Sequence, residues 1–257
     1  LNNLAQWFIM RKTILIFLSL FLVISISWYV YTSILKPATS PVVITGQTII
    51  NQSGTYILTN DISCTELVGE DTCIDIHGSN IVLDCQNHVV LGPGERSPTI
   101  GIQISPRDEY VTIKNCNVQK FHIGIRTAHN GLNRIINNIA SNNTDIGIYL
   151  DNARDHTLIN NTANYNSRGI YLFLESDYNL LINNTANNND IFGFYLIQSS
   201  HNNTLIGNQA CGNALDYFPA LGERKEAGDV FCSNSTMVDG GGNICNPVGP
   251  NCGGTIN

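Results

Sequence analysis

Gly147-Ile148-Tyr149-Leu150 returns as Gly169-Ile170-Tyr171-Leu172 and as Gly193-Phe194-Tyr195-Leu196. Upstream it is matched by Gly101-Ile102-Gln103-Ile104 and Gly124-Ile125-Arg126-Thr127, so that the leading glycines stand 23, 23, 22 and 24 residues apart. A period of roughly 20–50 residues marks a unit that cannot bury its apolar face alone and must stack on copies of itself. Within a segment, the two-residue alternation of a strand sends Ile148 and Leu150 one way and Tyr149 the other.

A second series keeps step with the glycines: Ile113, Ile136, Ile159, Ile182 and Ile206, at intervals of 23, 23, 23 and 24. Polar pairs follow it, among them Asn137-Asn138, Asn160-Asn161 and Asn183-Asn184. Each unit therefore holds at least two short strands joined by Asn-rich turns. It has no room for a helix of about ten residues, which excludes leucine-rich and helical solenoids. Strands recurring in this way stack in parallel, about 4.8 Å apart, with the inward Ile/Leu columns as the core. Between Asn130 and Asn208 about one residue in four is Asn. Asn disfavours helix, tolerates a left-handed φ in turns, and can form side-chain ladders when stacked.

The chain of 257 residues has a net charge of −7 with only 13 Lys and Arg, which leaves no electrostatic footprint for nucleic acid. Thr13–Leu35 carries no charged residue over 23 positions, enough to cross a bilayer as a helix. Arg11 and Lys12 precede it, and Trp28, Tyr29 and Tyr31 lie near its far end, which orients residues 1–12 to the cytoplasm and everything after Lys36 outside. A single-pass anchor is expected. The alternative is a cleaved signal peptide and a secreted product, although 36–41 is a poor cleavage site. Met10-Arg11-Lys12 reads as a natural start, so Leu1–Ile9 is set apart from the fold reading. Residues 36–47 read as a linker.

Eight cysteines (Cys64, Cys73, Cys85, Cys116, Cys211, Cys232, Cys245 and Cys252) form an even set beyond the apolar segment, as expected of exported, disulfide-bonded chains. No C-x-x-C pair occurs, which argues against zinc or redox chemistry. Sequence neighbours such as Cys64–Cys73 and Cys245–Cys252 are the expected pairs. Residues 211–257, with Asp239-Gly240-Gly241-Gly242-Asn243, read as an irregular cysteine-rich cap closing the end of the solenoid.

With Gly54–Ile62, Asn80–Cys85 and Val111–Cys116 added to the repeat, residues 48–252 resemble the right-handed parallel β-helix family. The resemblance is to its NosD-like, periplasmic copper-binding and carbohydrate-binding/sugar-hydrolase group. It implies an all-β, right-handed parallel β-helix solenoid of about six coils of 22–24 residues over 48–210, with 54–62 as the capping strand. It also implies a carbohydrate or cell-envelope ligand, and a monomer. Copper or calcium enters through the resemblance alone. Met10, Met237 and six scattered histidines form no soft cluster in the sequence, so no cofactor is expected.

The outward residues of the repeat line up as Gln103, Arg126, Tyr149, Tyr171 and Tyr195. Ser105, Ala128, Asp151, Phe173 and Ile197 stand two positions on, and Glu175 and Ser199 two further. Arg126, Tyr149, Asp151, Tyr171, Phe173, Glu175 and Tyr195 are thus a candidate sugar platform, since aromatic rings offer flat apolar area with a polar tip. Exposed strands also favour aromatics simply for cross-strand packing. The catalytic alternative, a polysaccharide lyase, hydrolase or epimerase, needs clustered acids and a base. Its best candidates are Asp151, Asp155, His156 and Arg126, although the Asp-Pro-His core of the epimerases is missing from 151–156. A third reading is a structural surface or adhesion spacer. Of six Asn-x-Ser/Thr sequons, Asn51, Asn142, Asn202 and Asn234 are the expected glycan acceptors, with Asn160 and Asn183 expected inside an Asn ladder.

Overall fold

Each Gly-Ile-x-Leu segment lies directly over its successor. In the computed structural model, which describes residues 40–94, 98–129, 131–213, 228–233 and 235–244, Gln103 pairs with Arg126, Arg126 with Tyr149, Tyr149 with Tyr171 and Tyr171 with Tyr195, all in parallel. The result is an all-β, right-handed parallel solenoid of about six turns, with no helix among the described residues. The apolar run 13–35, with the expected anchor, lies outside them.

Three sheets form the walls. A nine-stranded sheet runs from Val42–Ile44 to Met237–Asp239, and an eight-stranded sheet from Thr48–Ile50 to Gly228–Ser233. A four-stranded sheet, from Ile62–Ser63 to Ile139–Ala140, is continued by single bridges through Thr162, Thr185 and Gln209 to Ile244. Parallel pairing thus begins before residue 48 and continues beyond 210. Gly54–Leu58 is paired on both sides, with Val42–Ile44 and Ile81–Asp84, so it is an internal strand and not the capping strand.

The register also corrects the Ile series. Ile136 pairs with Lys114 on one side and Ile159 on the other, and the column Lys114, Ile136, Ile159, Ile182, Ile206 is half-exposed. The inward column is Ile113, Ile135, Leu158, Leu181, Leu205. The slip has a simple cause. The turn between Gln103 and Thr112 is one residue longer than the one between Arg126 and Arg134, so equal sequence spacing is not equal register.

Inside, Ile102, Ile125, Ile148, Ile170 and Phe194 stack on one another, beside a column of Ile104, Thr127, Leu150, Leu172 and Leu196. All of these are essentially fully buried, and each Ile or Leu contributes about 1.5–3 kcal/mol. The repeating glycine is required by space. A Cβ on Gly147 would lie 2.7 Å from the carbonyl oxygens of Ala140 and Gly169, and one on Gly169 would lie 2.6 Å from that of Gly193. Gly147→Ala is therefore expected to destabilise by about 2 kcal/mol, because overpacking against backbone cannot be relieved by a rotamer change. A thermal midpoint equal to wild type would contradict this account.

Asn fills two distinct roles. Asn115, Asn137, Asn160 and Asn183 occupy the left-handed region, with φ between 52° and 55°, where the strand leaves the nine-stranded sheet. Asn138, Asn161 and Asn184, which follow the last three of these, and Asn208, which follows Gly207, are buried and form a ladder. Each Asn Oδ1 accepts the backbone N–H of the coil before, at 2.8–3.0 Å from Asn138 onward. Asn160 and Asn183 are consequently exposed and not in the ladder, as are Asn51, Asn142 and Asn202. Asn234 lies outside the described residues.

Disulfides join Cys64 to Cys73 and Cys85 to Cys116. The second pair, not among those expected, staples two successive coils, a closure of the size that adds about 3–4 kcal/mol. Cys211 and Cys232 are also disulfide-bonded. Cys245 and Cys252 lie outside the described residues.

Candidate functional site: the outer face of the eight-stranded sheet

The outward column predicted from the repeat exists, and it is longer than predicted. In register it runs Ile49, Asp75, Gln103, Arg126, Tyr149, Tyr171, Tyr195. Strand alternation keeps its members half-exposed, apart from the exposed Ile49, while their neighbours fill the core.

The three tyrosines stack on each other. Tyr149 and Tyr171 lie 5.1 Å apart at 21°, and Tyr171 and Tyr195 lie 4.8 Å apart at 26°. Phe192 covers Tyr195 at 4.1 Å and 10°, and Phe173 tilts against both Tyr149 and Tyr171. Ring faces are thus turned toward neighbouring rings along the solenoid axis. Partial burial pushes all three phenols upward from their ordinary range, so they stand as protonated hydrogen-bond donors at neutral pH.

The cations of this face are held by its own acids. Arg126 donates to the Asp151 carboxylate at 2.6 Å, with its guanidinium 5.7 Å from the Tyr149 centroid. Arg168 pairs with Asp145 and lies 5.7 Å and 6.0 Å from the Tyr171 and Tyr195 centroids. Glu175, on the next turn, is paired with Arg154 at 3.1 Å, which also binds Asp177. Arg168 and Phe192 were not foreseen. The residue before each repeating glycine (Ile100, Ile123, Ile146, Arg168, Phe192) forms a column of its own, a signal legible in the sequence once the glycine is allowed to take an inward position.

The proposed catalytic group is not brought together. Arg126 and Asp151 meet, but Asp155 sits on an exposed turn with φ 61°. His156 is turned into the core, where it is 1% exposed, and its Nε2 bonds the Thr127 hydroxyl at 3.0 Å. Burial alone pulls His156 down to about 4.

Toward the N-terminal end the face opens into a groove of about 990 Å³, whose lining includes Asp71, Asp75, Gln103, His122 and Arg126. Asp75 is the hub of its floor. It bonds His77 at 2.7 Å, Ser105 at 3.2 Å and Gln103 at 3.3 Å. Ser105 also reaches His77 at 3.3 Å, but the hydroxyl and the carboxylate share the one nitrogen, Nε2. A serine relay requires them on opposite ring nitrogens, so this trio cannot act as one. Beside it, burial raises the Asp108 carboxyl above its usual range.

Residues 40–217 match the family model described as periplasmic copper-binding protein (NosD). Solved structures of similar fold include the periplasmic alginate epimerase AlgG (19% identity, 79% of this chain and 49% of that one, TM-score 0.53). They also include the Dettilon tailspike protein (14% identity, 78% of this chain and 56% of that one, TM-score 0.50). The chain spans about half the length of each, and at these identities the likeness is one of fold. No curated sequence matches it.

Proposed function

The chain belongs to the NosD family of β-helix proteins, and from that premise we propose that it works outside the cytoplasm, holding carbohydrate or cell-envelope material on the outer face of its eight-stranded sheet without catalysing a reaction. The observation that carries this reading is the unbroken column from Asp75 to Tyr195, which joins the groove to the tyrosine edges along one wall. Gln103, Arg126 and three phenol hydroxyls present hydrogen-bonding groups at a step of about 4.8 Å, suited to an extended polymer rich in hydroxyls. The disulfide-bonded cysteines agree with an oxidising compartment. One neighbour of the fold, the periplasmic alginate epimerase, is named for action on a polysaccharide, which supports this class of ligand. The domain plan remains part of the proposal: a membrane anchor at 13–35, a linker, the solenoid and a cap.

Copper is the ligand named in the family's description, and the donors here do not fit it. His77, His88 and His122 each pair with a different Asp, and His201 contacts Thr236. His156 is in the core and His129 stands on a turn. The described cysteines are in disulfides, and among the described residues no three His, Cys, Asp or Glu converge. A soft copper site needs such convergence.

The test is retention of the full chain in native gels containing chitosan, alginate or mannan, and on peptidoglycan sacculi. Wild type is expected to be retarded by at least one of these, and Gln103→Ala/Arg126→Ala to lose about tenfold in affinity, as when two hydrogen-bonding anchors are removed. Equal retention of that variant would remove the column from the site.

A further inference from the structure

The groove at the N-terminal end of the outer face carries more negative charge than its cations offset. Its lining includes three carboxylates, Glu70, Asp71 and Asp75, and one guanidinium, that of Arg126. Arg126 is already matched: its Nη2 donates to Asp151, its Nε is buried, and its guanidinium lies over the Tyr149 ring. Arg168, further along the face, repeats the arrangement, with Nη1 on Asp145, Nε buried and the Tyr171 and Tyr195 rings beside it. Each cation thus has its own carboxylate and adds little net field for an anion. The groove acids have no such match. Asp75 meets His77 and no Lys or Arg, and no Lys or Arg among the described residues pairs with Glu70 or Asp71. The acids are also held in place. Glu70 and Asp71 lie in the loop that the Cys64–Cys73 disulfide closes. A turn tightens that loop, with the Val68 N–H on Asp71 Oδ2 at 3.3 Å and the Asp71 N–H on the Val68 carbonyl at 3.4 Å. Asp75 stands on the strand Thr72–Ile76 that follows, fixed by Ser105 and Gln103. Carboxylates fixed in advance lose less freedom on binding than mobile ones.

We infer that the polymer held in this groove is cationic, a polysaccharide bearing free amino groups, with Glu70, Asp71 and Asp75 taking its ammonium groups while Gln103 and Arg126 meet its hydroxyls. The inference rests on the carbohydrate reading proposed above and narrows its ligand. A polyuronate such as alginate would bring its carboxylates against three of the same sign, and like charges meeting in a groove oppose binding. A neutral polymer would displace water from the carboxylates and return no charge to them. An amino sugar supplies both parts, an ammonium for a charge-assisted hydrogen bond to each acid and hydroxyls for the amide and the guanidinium. Among the described residues no three acids or histidines converge as metal ligands, so the carboxylates act as separate charges along the groove, as a polymer with one amine per sugar requires. The net charge of −7 on the whole chain adds long-range attraction for a polycation.

The test measures binding of the full chain, at about pH 6 and low ionic strength, to glucosamine and N-acetylglucosamine oligomers of equal length, with alginate and polylysine alongside. Glucosamine oligomers are expected to bind at least about tenfold more tightly than their acetylated counterparts, with alginate the weakest of the sugars. Glu70→Gln/Asp71→Asn changes two exposed side chains and keeps an oxygen for the Val68 N–H. It is expected to lose about three- to tenfold in affinity for glucosamine oligomers, to flatten their salt dependence, and to leave N-acetylglucosamine binding unchanged. Damage to the fold would weaken both oligomers alike. Equal affinity for the two oligomers, tighter binding of alginate, or a variant with wild-type affinity and salt dependence would each overturn the inference and leave the proposed function standing. No binding of wild type to these sugars or to the polymers named above would overturn both. Polylysine bound as tightly as glucosamine oligomers, and lost in the same variant, would assign the groove to basic peptides and equally overturn the inference.

Discussion

Asn161→Ala is expected to cost about 3–5 kcal/mol. Asn161 is 1% exposed. Its Oδ1 accepts both the backbone N–H and the side-chain amide of Asn138 at 3.0 Å, and its Nδ2 donates to the Ile135 carbonyl at 2.7 Å and to Asn184 Oδ1 at 2.9 Å. Truncation strands the Asn138 N–H and the Ile135 carbonyl inside the core, and each buried orphan costs about 1–3 kcal/mol. The volume vacated by the amide adds to that. The neighbouring Asn160→Gly is the control. Asn160 is exposed at φ 54°, a conformation Gly adopts freely, so it should be nearly neutral. Urea midpoints of the two variants decide the matter. A loss under about 1 kcal/mol for Asn161→Ala, or an equal loss for Asn160→Gly, would dissolve the distinction between ladder and turn. Because solenoid coils are stabilised by their nearest neighbours, hydrogen exchange in Asn161→Ala should quicken first in the coils around 134–184.

That distinction marks how far the sequence could be read. Gly-Ile-x-Leu at 22–24 residues specified parallel stacking and the outward column from Gln103 to Tyr195, because both depend only on period and alternation. What turns alone decide was not legible. One extra residue between Gln103 and Thr112 shifted the Ile series off the core column. Adjacent asparagines cannot be sorted into turn and ladder by composition, since Asn160 and Asn161 differ only in φ and the direction of Cβ. The outer face shows the same limit. Tyr149, Tyr171 and Tyr195 were correctly aligned, but nothing in their spacing says that the rings stack on each other.

The histidine read from the sequence as a possible acid or base is expected instead to make the fold acid-labile. His156 replaces Asn in a second buried ladder, Asn133–His156–Asn179–Asn203, and stands against Thr127, which occupies a position filled by Ile or Leu in other coils. Its Nδ1 accepts the Asn133 backbone N–H, and the His156 backbone N–H donates to Asn179 Oδ1 at 2.9 Å. No carboxylate is among these partners, so nothing offsets the burial that holds it at about 4. The folded pKa is therefore below the unfolded value of about 6.5. Stability from this group is complete above that unfolded value, falls as protons bind the unfolded chain below pH 6.5, and is lost by the time the pH has dropped through about 4. The total is about 3 kcal/mol, from 1.36 kcal/mol per pKa unit. His156→Asn restores the residue of the neighbouring rungs and removes the titration. It leaves a smaller side chain against Thr127, so at pH 7.5 it should be no more stable than wild type, by up to about 1 kcal/mol. At pH 4.5 the order should reverse. Exposed carboxylates titrate equally in both proteins and cancel in the difference, so the decisive quantity is the change in the gap between their urea midpoints from pH 7.5 to 4.5. A gap that stays constant would mean that His156 is protonated in the folded chain and that the core at Thr127 admits the charge.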